Sequence, residues 1–196
     1  MSGDYDEGEH VKELFAYFGR AYYMANVFET GLALAVLHLD FMAETARKIK
    51  RDRKDKFDRA AYEAAFDDFM TRQHAKTLGN LIKRLNELVD IGEPMKLLLS
   101  ESKALRDFFA HHFFRERSEA FVSRTGRDSM IEELERAHDL FKSADRALQE
   151  LMEPYLTRHG MTKDLIEAET ERFRHSSKAI DDETTGEDRP VRCGKR

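Results

Sequence analysis

The chain has 196 residues, with 33 Lys and Arg against 38 Asp and Glu and a formal net charge of -5. That length bounds it to one domain, or a domain with a tail, able to bury a core without metal or disulfide support. Its single cysteine (Cys193) excludes a disulfide framework, and the acidic balance argues against a general affinity for polyanions.

Three prolines, no tryptophan and 36% charged residues favour an all-α, soluble protein. The N-terminal stretch MSGDYDEGEH is acidic and carries no apolar signal segment. No uninterrupted apolar run reaches membrane-spanning length, so a cytoplasmic chain without membrane association is expected.

The first predicted helix covers residues 9 to about 52. Val11, Leu14, Phe15, Phe18, Tyr22 and Ala25 recur at three- and four-residue steps, and Leu32, Ala33, Val36 and Leu39 continue the stripe. Glu29 sits on the extension of that stripe as a polar intruder. Arg47 to Lys56, RKIKRDRKDK, is the one dense basic run. It reads as a solvated helix end, with Arg51, Arg53 and Lys54 as the candidate phosphate-tracking residues if the run serves RNA.

A second helix is predicted from Phe57 to about Phe69, and a third from near His74 to Val89. Asp90, Gly92 and Pro94 break the chain. A fourth helix is predicted from about Met95 to Ser123, with Gly126 as a stop signal and Asp128 or Ser129 as the next cap. The fifth runs to about Arg158, with Pro154 expected to kink it or end it early. Gly160 stops it, and Thr162 caps a short sixth helix to about Phe173. The expected organisation is an antiparallel four- or five-helix bundle over 1–175 and a polar, disordered tail over 176–196.

Most chemistry-bearing patterns are missing. There is no glycine-rich phosphate loop, no Cys/His zinc spacing, no His-Glu-x-x-His and no nucleophile elbow. The core helices are not read as carrying Glu-x-x-His motifs and their carboxylate partners in the number a di-metal bundle needs, so no metal and no cofactor are expected.

What remains is LRDFFAHHFFRER, Leu105 to Arg117. On a helical wheel at about 100° per residue, its four phenylalanines span an arc of about 240°, far wider than a surface helix requires. Asp107, His111 and Arg115 share the gap in that arc. Asp107 and His111, four apart, are spaced to meet across one turn, as a carboxylate that fixes an imidazole for general acid/base work would. Arg106 projects into the aromatic arc and needs an anionic or carbonyl partner, for which Glu29 is a candidate. Spacing alone is uninformative: with 20 arginines and eight histidines, chance gives about one Arg-x4-His pair.

The segment Arg106-Asp107-Phe108-Phe109-Ala110-His111 resembles the signature of the HEPN superfamily of small helical bundles. Its catalytic members carry Arg, four to six residues, then His, with a polar residue after the Arg. AYFGRAYYMANVFETGLALAVL, KTLGNLIKRL and LRDFFAHHFFRER together resemble one branch of HEPN-like bacterial proteins, over about Val11 to Leu156.

The resemblance implies a HEPN-like homodimer and metal-independent cleavage of single-stranded RNA, in a bacterial defence, toxin or stress setting, with an antitoxin or regulatory protein as a further partner. It implies Arg106 and His111 as catalytic residues, and Asp107, His112, Glu29 and Arg115 as supporting ones. The alternative it leaves open is a catalytically silent dimer that binds nucleic acid, a nucleotide or a protein. Members silenced by a nucleotidyltransferase carry Tyr two residues after the His. Phe113 stands there in this chain and offers no hydroxyl.

Overall fold

The computed structural model describes residues 6–51 and 58–185, and every described element is helical. Asp6 opens α1 (Glu7–Val36) by accepting from the backbone N–H of Gly8 and Glu9 at 2.8 and 3.2 Å. These satisfy two of the free donors at a helix start. The helix continues without a break through a π-helical segment, Leu37–Met42, into α2 (Ala43–Arg51).

The 45-residue run Glu7–Arg51 is long and apolar enough to cross a membrane by length and composition. Counting uninterrupted apolar runs had missed this, because an 18-residue window inside the run is apolar on average although one or two charged residues interrupt it. Its apolar stripe faces the bundle: Leu14, Ala21, Ala25, Phe28, Leu32 and Val36 are buried.

Asp58 caps α3 (Arg59–His74), and Thr77 caps α4 (Leu78–Leu88). α4 buries Leu78, Leu81 and Leu85 against α1. Phe41 of the π segment packs on Phe69 of α3, with ring centroids 5.3 Å apart. These build a satellite cluster around Val36, Leu37 and Phe69.

The long fourth helix expected to reach Ser123 is broken. α5 (Glu93–His111) ends at His112, whose φ of -130° leaves the helical region. Two single turns follow, α6 (Phe113–Glu116) and α7 (Ser118–Phe121), separated by Arg117. Aromatic packing explains the bend. Phe109 and Phe113 are buried and edge-on to one another at 5.2 Å, while Phe18 of α1 meets Phe114 at 4.8 Å and Phe113 at 5.5 Å. A straight helix would set Phe113 and Phe114 about 100° apart; with the break, both rings meet Phe18 of α1.

Gly126, expected as a stop, lies inside α8 (Arg124–Arg158). A Cβ there would stand 2.1 Å from the carbonyl oxygen of Ala120, so the residue is glycine because the backbone of α7 crosses at contact distance. Ser123, rather than Asp128 or Ser129, caps α8 by accepting from the Gly126 N–H at 3.1 Å. Leu134, Ala137, Phe141, Ala144 and Leu148 form its buried stripe, and Phe141 meets Phe109.

The chain divides into two compact units, Met1–Glu153 and Pro154–Arg196. α8 continues through Pro154 to Arg158 rather than ending early. In the second unit Gly160 adopts φ +80°, a left-handed turn suited to glycine, and Thr162 caps α9 (Lys163–Thr185). α9 passes both Phe173, where the sixth helix was expected to stop, and residue 176, where a disordered tail was expected to begin. Intrahelical ion pairs such as Arg172–Glu169 and Arg174–Glu171 support it.

Candidate functional site

Glu29 follows the buried Phe28 on α1, so its carboxylate emerges at the edge of the core facing α5. Arg106 reaches it from one turn before the end of α5. Its Nε donates to Glu29 Oε2 at 3.2 Å, and its Nη2 donates to Oε1 at 2.9 Å and Oε2 at 2.8 Å. The planar fork of a guanidinium matches a carboxylate in this way, and such pairs are the stronger class of hydrogen bond. The pair is half-buried, with side chains 23% and 21% exposed. Burial works to lower the Arg106 pKa, but Glu29, and after it Asp107, outweigh this and raise it.

Asp107 does not meet His111. One of its oxygens accepts from Lys103 Nζ at 2.7 Å, and the other accepts from Arg106 Nη1 at 3.1 Å. Lys103 sits at the same four-residue spacing as His111 but one turn earlier, and as a permanent cation it wins the carboxylate. The Lys103 bond is the main cause that holds the Asp107 carboxyl below its ordinary 3.8; burial opposes it and Arg106 adds to it.

His111 is the last residue of α5, exposed to solvent and without a hydrogen bond to any described residue. It is five residues beyond Arg106, about 7.5 Å along the axis. His112 at the break contacts Arg115 through Nδ1 and lies 3.9 Å from Glu116. The His111 and His112 rings are 6.1 Å apart and nearly perpendicular. Arg115 is exposed and turned to His112 and Glu116 rather than to Asp107.

A cavity of about 310 Å³ opens beside the Arg106–Glu29 pair. Asn26, Glu29 and Thr30 of α1, Gln73 of α3, Lys76 and Arg106 supply its polar walls. The structure therefore brings together Arg106, Asp107 and Glu29, and sets His111 and His112 apart at the helix end. Arg51, the exposed last residue of α2, lies about 33 Å along the helix from Glu29. Arg53, Lys54 and Cys193 lie outside the described residues. Among the described residues, no group of three or more His, Cys, Asp or Glu side chains is arranged to hold a metal ion.

Sequence reasoning missed Gln73 and Lys76. Gln73 had a signal: it continues the stripe Phe66, Phe69, Met70 as a polar residue on an apolar face, and it is only 4% exposed. It also missed Arg127, which is 2% exposed and donates to the Phe121 carbonyl at 2.7 Å and to His10 Nδ1 at 3.5 Å. Glu7 stands 3.2 Å from the same guanidinium, and His10 Nε2 faces Asp128 at 3.1 Å.

The sequence matches no protein-family model, and comparisons with curated proteins and with solved structures find no match.

Proposed function

We propose that this chain is a metal-independent endoribonuclease of the HEPN type, working as a homodimer on single-stranded RNA. The observation that carries the reading is the division of labour along one helix. Arg106 is held rigidly at the edge of an open cavity, and His111 is left solvent-exposed, with no described partner to occupy its imidazole.

In this mechanism the RNA 2′-hydroxyl attacks the adjacent phosphorus and passes its proton to an imidazole. The bond from phosphorus to the 5′-oxygen breaks, and an imidazolium protonates the departing oxygen. The products are a 2′,3′-cyclic phosphate and a 5′-hydroxyl. His111 from each of two copies supplies the two imidazoles. Arg106 stabilises the charge that gathers on the phosphoryl oxygens. Glu29 and Asp107 are positioning residues that fix the guanidinium. DNA is inert because it lacks the attacking hydroxyl.

The carboxylate clamp on Arg106 favours a second reading, a silent dimer of the same architecture that binds nucleic acid, a nucleotide or a protein. Incubation of the purified protein with single-stranded RNA in EDTA separates the two. Cleavage leaving 5′-hydroxyl ends should fall about 100-fold or more in Arg106→Ala and in His111→Ala, with the helical circular dichroism unchanged. Equal cleavage by His111→Ala, or none by the wild type, leaves the silent reading.

A further inference from the structure

The cavity beside Arg106 has a chemistry of its own. Both oxygens of Glu29 are taken by Arg106, so that negative charge is offset in place. Asn26 gives its amide N–H to the Tyr22 carbonyl at 2.9 Å. On the opposite wall the Gln73 side-chain oxygen accepts from Lys76 Nζ at 2.9 Å. That single bond leaves two protons of the Lys76 ammonium unused. The Gln73 NH2 and the Thr30 hydroxyl donate to no described residue. Gln73 is only 4% exposed and lines the cavity, so its spare donor faces that opening.

From this surplus of donors we infer that the cavity is a binding site for a tetrahedral oxyanion of the phosphate type. Lys76 supplies the point charge, Gln73 and Thr30 supply directed hydrogen bonds, and the Asn26 carbonyl oxygen can accept the proton of a hydrogen phosphate. About 310 Å³ holds such a group with several waters, at ~30 Å³ each. Among the described residues no aromatic ring lines the cavity, so they offer no platform for a nucleobase. The recognised group is the phosphate itself, either within a nucleic-acid backbone or free. The site does not depend on RNA cleavage: Thr30, Gln73 and Lys76 all lie outside the Arg106–His111 motif.

Isothermal titration with inorganic phosphate, at ionic strength matched with chloride, tests this. The wild type should bind. Lys76→Gln, in the turn after α3, should weaken binding about tenfold, and the isosteric Gln73→Glu, which pairs with Lys76 and repels the anion, should abolish it. Lys83→Gln, an exposed lysine of α4 outside the cavity, should bind as the wild type does. No heat above the chloride control, or equal affinity in Lys76→Gln and Lys83→Gln, overturns the proposal. Competition by a single-stranded DNA oligonucleotide identifies a backbone phosphate as the source, and its failure to compete identifies a free phosphate or a phosphomonoester. All of these readouts proceed without RNA turnover, so an inactive protein that binds phosphate counts against the nuclease alone.

Discussion

Arg106 and Arg127 each tie separate segments of this bundle, and they do different things. Arg127 is sealed: its guanidinium is 3% exposed and is met by a backbone carbonyl, an imidazole and a carboxylate. Arg106 is equally well hydrogen-bonded, yet its side chain is 23% exposed and a polar cavity opens against it. The comparison teaches that burial of a charge does not mark a working site. A buried guanidinium that bonds a backbone carbonyl, a buried imidazole and a carboxylate of another segment ties chain segments together. A guanidinium held by two carboxylates, with an opening beside it, still lines that opening.

The sharpest way to break this comparison is to remove each cation in turn. Arg127→Met should cost about 3–5 kcal/mol in urea unfolding, because it strands the Phe121 carbonyl and the buried His10. A cost no greater than that of an exposed arginine would show that the sealed network is not a structural tie.

Glu29→Gln tests the open site. The amide keeps the shape and loses the charge, so a half-buried pair should lose about 1–2 kcal/mol, measured in the same way. If the two variants cost the same, the distinction between sealed and open fails.

The smallest effect is pH-dependent. Asp107 has its pKa depressed in the folded state, chiefly by Lys103, so it adds stability above its ordinary 3.8 and loses it as pH falls through the depressed value. Asp107→Asn should therefore be less stable than the wild type at pH 7, by no more than about 0.5 kcal/mol because solvent screens a carboxylate this exposed. The difference should vanish in strong acid. A gap that persists there would mean that the variant perturbs packing rather than charge.

Much of the architecture was legible in the sequence because it rests on local periodicity. The stripes at Leu14–Val36 and Leu134–Leu148, the Gly160 turn and the Thr162 cap are all set by neighbours three or four residues away. The Arg106–Glu29 pair was legible too, since two charged residues on apolar faces need one another. The break at His112 was not, because each phenylalanine in FFAHHFF is a good helix-interior residue by pattern. The bend is decided by Phe18 and Phe109, a long-range packing choice that no local rule records. The misreading of Asp107 had a similar origin: Lys103 and His111 lie at equal spacing from it, one turn before and one turn after, and periodicity alone does not say which one the carboxylate meets. Gly126 looked like punctuation because the strand of backbone it accommodates, at Ala120, lies too close in sequence to signal a crossing.

The wide turn at Leu37–Met42 carries a consequence for how this chain tolerates length changes. A π turn takes one residue more than an α turn. It therefore absorbs one extra residue while the helix on either side keeps its phase. Excising one residue there would restore an ordinary helix with its flanks still in register, whereas excising one from the α-helical part of α1 would turn everything downstream by about 100°, swinging Phe41 off Phe69, and Asp40 away from Arg84, where its carboxylate now sits 2.7 Å from the guanidinium. The wide turn is thus a place where this rod can lose a residue without turning its two clusters against each other.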